Sequence, residues 1–280
     1  MSGGPKNHHH DQHHDDDHDH HHDLVDDVVL PVERPDSALV ASLSASPNHD
    51  GRKGVERPDM LILHYTGMRD GLAALRRLCD PNPPRVSAHY VVFEDGEIVQ
   101  SVAEERRAWH AGIGSWEGRG DVNSRAIGVE IVNPGHEFGY RPFPEAQIEA
   151  VTALAGDIVG RHGIAPRHVL GHSDTAPLRK QDPGELFPWF RLAAAGVGLW
   201  VPPAPFQDGK AYSPGEEGPP IQAVQALFAM LGYDVQVTGV YDRLTEAVVT
   251  AFQRHWRQDR VDGVADASTL KTLRDLLAAR

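Results

Sequence analysis

The chain has little of what several protein classes require. A single cysteine, Cys79, in 280 residues excludes an internal disulfide framework. Cys79 reads as a small apolar residue on a helix rather than as a reactive thiol. No run approaches the ~18 consecutive apolar residues that a membrane span needs. No basic stretch leads into an apolar core and a small-residue cleavage site, so no export signal is visible. That places the protein in the cytoplasm, or in the periplasm if the His-rich start replaces a signal. Positive charge is also scarce. Lys and Arg number 27 against 40 Asp and Glu, and the net charge of −13 argues against nonspecific nucleic-acid binding.

What is present is an ordinary soluble composition, 40% apolar and 24% charged. The length suits one domain of roughly 150–200 residues plus a small one. The acidity is uneven. Residues 1–36 hold ten acids and two bases, so about −8 of the total lies in a tail. Its run "HHHDQHHDDDHDHHHD" has no aliphatic residue with which to build a core and is expected to stay disordered. Three readings stand for it: an affinity tag, a solvated tail without function, or an arm that gathers borderline metal ions loosely.

From Met60 the pattern is mixed α/β. "MLILHYTG" reads as a strand ending at Gly67, and "DGLAALRRLCD" has helical spacing that stops before "PNPPR". "SAHYVVFEDGEIVQSV" is two β-rich runs around Asp95-Gly96, a hairpin signal. "AIGVEIVN" reads as a strand closed by Pro134-Gly135. "PEAQIEAVTALAGDIVGRHG" is an amphipathic helix with Glu145 near its start and Gly163 as its cap. "RHVLGH" is a further short strand. Residues 196–220, rich in proline, read as a semi-extended linker. Beyond it three short helices are predicted, with Asp242, Thr245 and Asp266 near the starts of the last two. Val224, Leu227, Leu231, Val248, Phe252 and Leu270 would form their core. The fold class is therefore α/β, with a sheet-and-helix domain over 37–195 and a helical domain over 221–280.

His64 and His172 each close a predicted strand, and side chains at strand ends of an α/β domain line the ligand crevice. Asp182 follows His172 on a loop long enough to fold back, within "GHSDTAPLRKQDPG", which Pro177 and Pro183 keep from being a regular helix. Two imidazoles and a carboxylate make a three-ligand zinc site with one open position. A lone histidine of this kind is more often a satisfied structural residue, and nine histidines lie outside the tail.

The blocks "LILHYTG", "VSAHYVVFEDGEIVQSV", "RRAWHAG", "NSRAIGVEIVNPG" and "GHSDTAPLRKQDPG" stand in the order seen in zinc-dependent N-acetylmuramoyl-L-alanine amidases of the type-2 family, which the chain resembles over about residues 55–192. The resemblance implies a mixed central β-sheet flanked by helices and one Zn²⁺ per amidase domain. It implies His64, His172 and Asp182 as zinc ligands, Glu130 as the acid–base residue and Lys180 as the cation beside the scissile carbonyl. The segment "AVQALFAMLGYDV" onwards resembles the three-helix peptidoglycan-binding domain, departing from it at "HWRQDR".

Blander readings stand beside these. Glu130 could be a strand glutamate on a solvated face, and Lys180 a loop lysine in water. Trp109 and His110 lie on a loop that could contact substrate, and Arg85 could pair with a peptide-stem carboxylate or simply lie on the surface. His89 reads as structural. The implied partner is peptidoglycan or a muropeptide, with no nucleic acid and no membrane span. The unsignalled start favours soluble fragments, whereas the binding module favours polymer. That module is expected to affect substrate choice rather than chemistry. Two other functions compete with hydrolysis: a non-catalytic peptidoglycan-recognition protein, and a metal store built around the tail.

Overall fold

The computed structural model describes residues 30–280, so the expected disorder of residues 1–29 lies outside the described residues. Asp36, the last residue of the expected tail, is tied down. Its carboxylate accepts from Gln100 Nε2 at 2.6 Å and from the Glu104 N–H at 2.9 Å.

A six-stranded mixed sheet forms the centre. In chain order its strands are β1 (Ser42–Leu43), β3 (Met60–Tyr65), β4 (Tyr90–Val92), β5 (Ile98–Gln100), β7 (Ala126–Ile131) and β8 (Val169–Gly171). They lie side by side as β1-β5-β4-β7-β3-β8. β4 and β5 are antiparallel around the predicted turn, where Gly96 takes φ 91°. A Cβ there would sit 2.9 Å from the Ala146 carbonyl oxygen, so glycine is required twice over. The other pairings are parallel. A separate two-stranded ribbon pairs β2 (His49–Gly51) with β6 (Arg106–Ala108).

Three of the helices begin at an aspartate whose carboxylate receives a first-turn N–H. Asp70 caps α1 (Gly71–Leu78), and α2 (Val122–Arg125) and α3 (Gly135–Phe138) are single turns. The long α4 (Glu145–His162) ends at Gly163, which takes φ 64°. A turn, α5 (His172–Thr175), follows β8 directly, and α6 (Trp189–Ala194) closes this part. Then come α7 (Pro219–Leu231), α8 (Arg243–Trp256) and α9 (Ala267–Ala279), the last two capped by Asp242 and Asp266. Each such cap contributes about 1 kcal/mol. No helix among the described residues is long and apolar enough to cross a membrane.

Strand alternation divides the sheet into two faces. Leu61, Leu63, Val129 and Ile131 pack under α4 against Ile148, Val151, Leu154 and Ile158. The opposite parity, Met60, Ile62, Ala126 and Leu170, packs in one continuous core with Val224, Phe228, Phe252 and Leu273 of the last three helices. Those helices are thus the second covering layer of the sheet. Segment 196–220 lies along them: Trp256 Nε1 donates to the Leu199 carbonyl, Ser268 Oγ donates to the Ala204 carbonyl, and Phe206 stacks under Arg257 and Arg260.

Candidate active site

His64 stands near the carboxyl end of β3, and the parallel register sets it beside Glu130 of β7. Neighbouring residues of paired strands project from the same face, so the two side chains rise together beyond the part of the sheet that α7–α9 cover. Val129 and Ile131, which flank Glu130, point into the opposite core. Gly128, one step earlier on the same face, lies under the His110 ring. A Cβ there would fall 2.5 Å from that ring, so the glycine makes room for the histidine.

His172 opens α5, immediately after β8. The chain then turns back, and the Ser173 N–H donates to the Asp182 carbonyl at 3.0 Å, bringing Asp182 alongside. His64 Nδ1 lies 3.0 Å from His172 Nδ1 and 3.1 Å from Asp182 Oδ2, and His172 Nδ1 lies 3.2 Å from the same oxygen. All three residues are buried, and among the described residues they are the one cluster of this kind that could hold a metal ion. The outward nitrogens are also occupied. His172 Nε2 lies 2.8 Å from the Ala111 carbonyl, which can only accept, so Nε2–H donates there and Nδ1 is left facing His64 and Asp182. His64 Nε2 lies 2.9 Å from His110 Nδ1.

Burial, reinforced by His172, holds the His64 imidazole down at about 4, in its neutral form. Burial alone would raise Asp182, but the adjacent His172 and His64 outweigh it and hold the carboxyl well below its usual range. Glu130 goes the other way. Burial, with Asp182 nearby, pushes it well above 4.5, opposed by Lys180. Glu130 Oε1 is 4.0 Å from His64 Nδ1, while Oε2 is buried with no hydrogen-bond partner among the described residues.

These groups form the floor of a cleft of about 620 Å³. Lys180 lines it with Glu130, and Trp109 and His110 form one wall. The Trp109 indole N–H is committed to Asp50 Oδ1 at 3.0 Å, which leaves its ring to the cleft. His110 faces His64 as well as the cleft. Arg85 is not brought in: it is exposed, and its Nε donates to the Pro81 carbonyl at 3.0 Å. Arg77 of α1 is the arginine that lines this side of the cleft. His89 uses both nitrogens on backbone, accepting from the Gly128 N–H at 3.0 Å and donating to the Arg106 carbonyl at 2.8 Å, as a structural histidine would.

Two groups outside the predicted set support the site. Arg179 donates to the carbonyls of Ala111 and Ile113, tying the 111–113 loop to the segment that carries Asp182. Asp174, 1% exposed, accepts the Gly171 N–H at 2.9 Å and so fixes the turn at which His172 begins.

Residues 54–185 match the N-acetylmuramoyl-L-alanine amidase family model, and residues 217–273 match that of a peptidoglycan binding domain. The chain is 38% identical over 230 residues to the N-acetylmuramoyl-L-alanine amidase AmiD of Escherichia coli, covering 76% of this chain and 80% of that one. It is 33% identical over 165 residues to the 1,6-anhydro-N-acetylmuramyl-L-alanine amidase AmpD of Enterobacter cloacae, covering 53% of this chain and 86% of the relative. Among solved structures, E. coli AmiD in complex with the substrate anhydro-N-acetylmuramic acid-L-Ala-D-gamma-Glu-L-Lys superposes with TM-score 0.68 and 35% identity, over 82% of this chain and 93% of that one. Pseudomonas aeruginosa AmpDh3 in complex with anhydromuramic pentapeptide gives TM-score 0.64 at 30% identity, over 79% and 91%. With sequence and fold both shared over most of its length, the chain belongs to the N-acetylmuramoyl-L-alanine amidase family.

Proposed function

We propose that the protein is a zinc-dependent amidase that hydrolyses the bond between N-acetylmuramic acid, or its anhydro form, and the L-alanine of the peptide stem. The observation that carries this reading is the convergence of His64 Nδ1, His172 Nδ1 and Asp182 Oδ2 within 3.0–3.2 Å, beside a buried Glu130 oxygen without a partner. His64 Nδ1, His172 Nδ1 and Asp182 Oδ2 converge on one point, the arrangement that a bound cation needs. Tetrahedral zinc bonds of about 2.0–2.1 Å set ligand atoms roughly 3.3 Å apart, close to the separations here. A borderline-soft donor set of two imidazoles and one carboxylate suits the same ion.

His64, His172 and Asp182 hold the zinc in this reading, and its Lewis acidity brings the ionisation of water within reach of neutral pH. The chain's own groups do the rest. Glu130, raised by burial, accepts a proton from the attacking water and returns it to the departing alanine amine. Lys180 presents its ammonium to the oxyanion that develops on the scissile carbonyl. His110 receives the His64 Nε2–H and fixes that ring's orientation, and the Trp109 ring forms a wall for substrate. The full set of ligands, Glu130 and Lys180 favours hydrolysis over a purely recognising role.

The test is zinc content and cleavage of an anhydromuropeptide by the wild-type protein and by Asp182→Ala. The wild type is expected to hold one equivalent of zinc and release the stem peptide, while the variant loses both. A wild-type protein that holds zinc but leaves the lactyl amide intact would overturn the proposal.

A further inference from the structure

The last three helices reach the metal-ligand turn itself. Asp174, two residues after His172, has its carboxylate saturated from behind the site. Tyr233, just beyond the end of α7, donates its hydroxyl to Oδ1 at 2.5 Å. His255 of α8 donates Nδ1–H to Oδ2 at 2.7 Å, beside the Gly171 N–H at 2.9 Å on the same oxygen. Asp174, Tyr233 and His255 are 1%, 3% and 3% exposed, so no water competes for these bonds. The His255 ring is clamped between Trp189 at 3.8 Å and Trp256 at 3.5 Å, both nearly parallel to it. Tyr233 packs edge-on against Trp116 at 4.9 Å, and the adjoining Gly232 presses that indole so closely that a Cβ would lie 2.3 Å from it. The Gly232 carbonyl accepts from the Glu117 N–H at 2.8 Å.

A surface-tethering module would need only a solvated contact with the domain it serves. Here a buried carboxylate from one part is completed by two buried donors from the other, and that carboxylate caps the turn on which His172 stands. Removing either donor leaves Asp174 under-satisfied in a dry interior. It would then rotate to find a partner and release the Gly171 N–H. The His172 ring and the Asp182 segment bonded to Ser173 would shift with it. We propose that Tyr233 and His255 are positioning residues of the amidase: through Asp174 they hold His172 in its metal-binding geometry. This rests on the zinc-amidase reading given above.

The experiment uses the full chain with Tyr233→Phe, His255→Phe and His255→Asn, the last of which keeps a donor at the place of Nδ1. Zinc affinity is read by chelator competition, and kcat and KM on a soluble anhydromuropeptide, at a temperature where urea or thermal unfolding shows every variant folded. Tyr233→Phe and His255→Phe are expected to lower zinc affinity and kcat about 10-fold or more, the usual effect of losing an outer partner of a metal ligand, with KM nearly unchanged. His255→Asn should recover most of both. Should His255→Phe fail to fold, Tyr233→Phe, which removes one oxygen atom, carries the measurement. Variants that lose thermal stability but keep wild-type zinc affinity and kcat would overturn the inference, as would reduced binding to sacculi with unchanged soluble turnover. A wild-type protein without zinc or cleavage would instead overturn the underlying reading.

Discussion

At the scale of the residue, Glu130 and Asp182 are two carboxyls a few ångströms from the same imidazole that their surroundings push in opposite directions. Asp182 points at two histidine nitrogens and is held ionised. Glu130 has one oxygen facing no partner and is pushed towards its protonated form by burial. The proposed division into metal ligand and proton carrier calls for these opposite settings. Glu130→Ala is therefore expected to retain stoichiometric zinc while turnover falls roughly 10²–10⁴-fold. Lys180→Ala should keep zinc and lose about 10²–10³-fold, the cost of an oxyanion partner. Metal analysis beside initial rates checks both, and an empty metal site in Glu130→Ala would refute the division of roles. That His64, His172, Asp182, Glu130 and Lys180 meet in one cleft could be anticipated because each stands in a short block whose order along the chain is itself specific. The meeting of Asp174, Tyr233 and His255 could not, because nothing local at 174 refers to 233 or 255. His255 belongs to "HWRQDR", the stretch where the module departs from its family's pattern, and its Trp256, Arg257 and Gln258 also make docking or core contacts.

At the scale of the element, the long or strongly patterned pieces followed the sequence. The run at 60–65 is a fully embedded strand, the Asp95-Gly96 hairpin forms, and α4 stops at its glycine. The short strands β1, β2 and β6 went unread because, unlike the equally short β4, β5 and β8, they carry no buried apolar run. Segment 196–220 is extended, as proline demands, yet it is bound along the helices by contacts that composition does not reveal. The α4 C-terminus illustrates an element anchored by one group. Glu104, buried beneath it, accepts from Arg161, His162 and Tyr90. Burial would raise its carboxyl, but these donors prevail and lower it from 4.5 to about 2. Since the folded value lies below the unfolded one, its contribution, of order 1–3 kcal/mol, is complete above pH ~4.5 and vanishes as pH falls towards ~2. Glu104→Gln should therefore unfold at lower urea than wild type at pH 7, with the gap narrowing below pH ~4.5 and closing only towards pH ~2. A gap independent of pH would contradict the anchoring role.

At the scale of the whole molecule, the helical module is a layer of the architecture. Met60, Ile62, Ala126 and Leu170 are 0–1% exposed and share one core with Trp116 and with side chains of α7–α9. Uncovering the larger of these side chains costs about 1.5–3 kcal/mol each, against a typical total stability of ~5–15 kcal/mol. The sequence suggested a separable module acting on substrate choice, and the shared core argues against that separation. A chain ending at Gly196 should aggregate or unfold without cooperativity, as measured by size-exclusion chromatography and urea titration. A monomeric truncation with wild-type zinc affinity would show that the sheet tolerates a bare face.

The same shared core sets a schedule for synthesis. β8 leaves the ribosome well before α8, which begins at Arg243. At ~5–20 residues per second, roughly 4–17 s separate Gly171 from Trp256. A sheet formed in that interval would carry an apolar face with its last helices still to come. The proline-rich stretch falls inside the wait. Holding chaperones would find their target there, and the yield of active protein would depend on how quickly the last helices arrive.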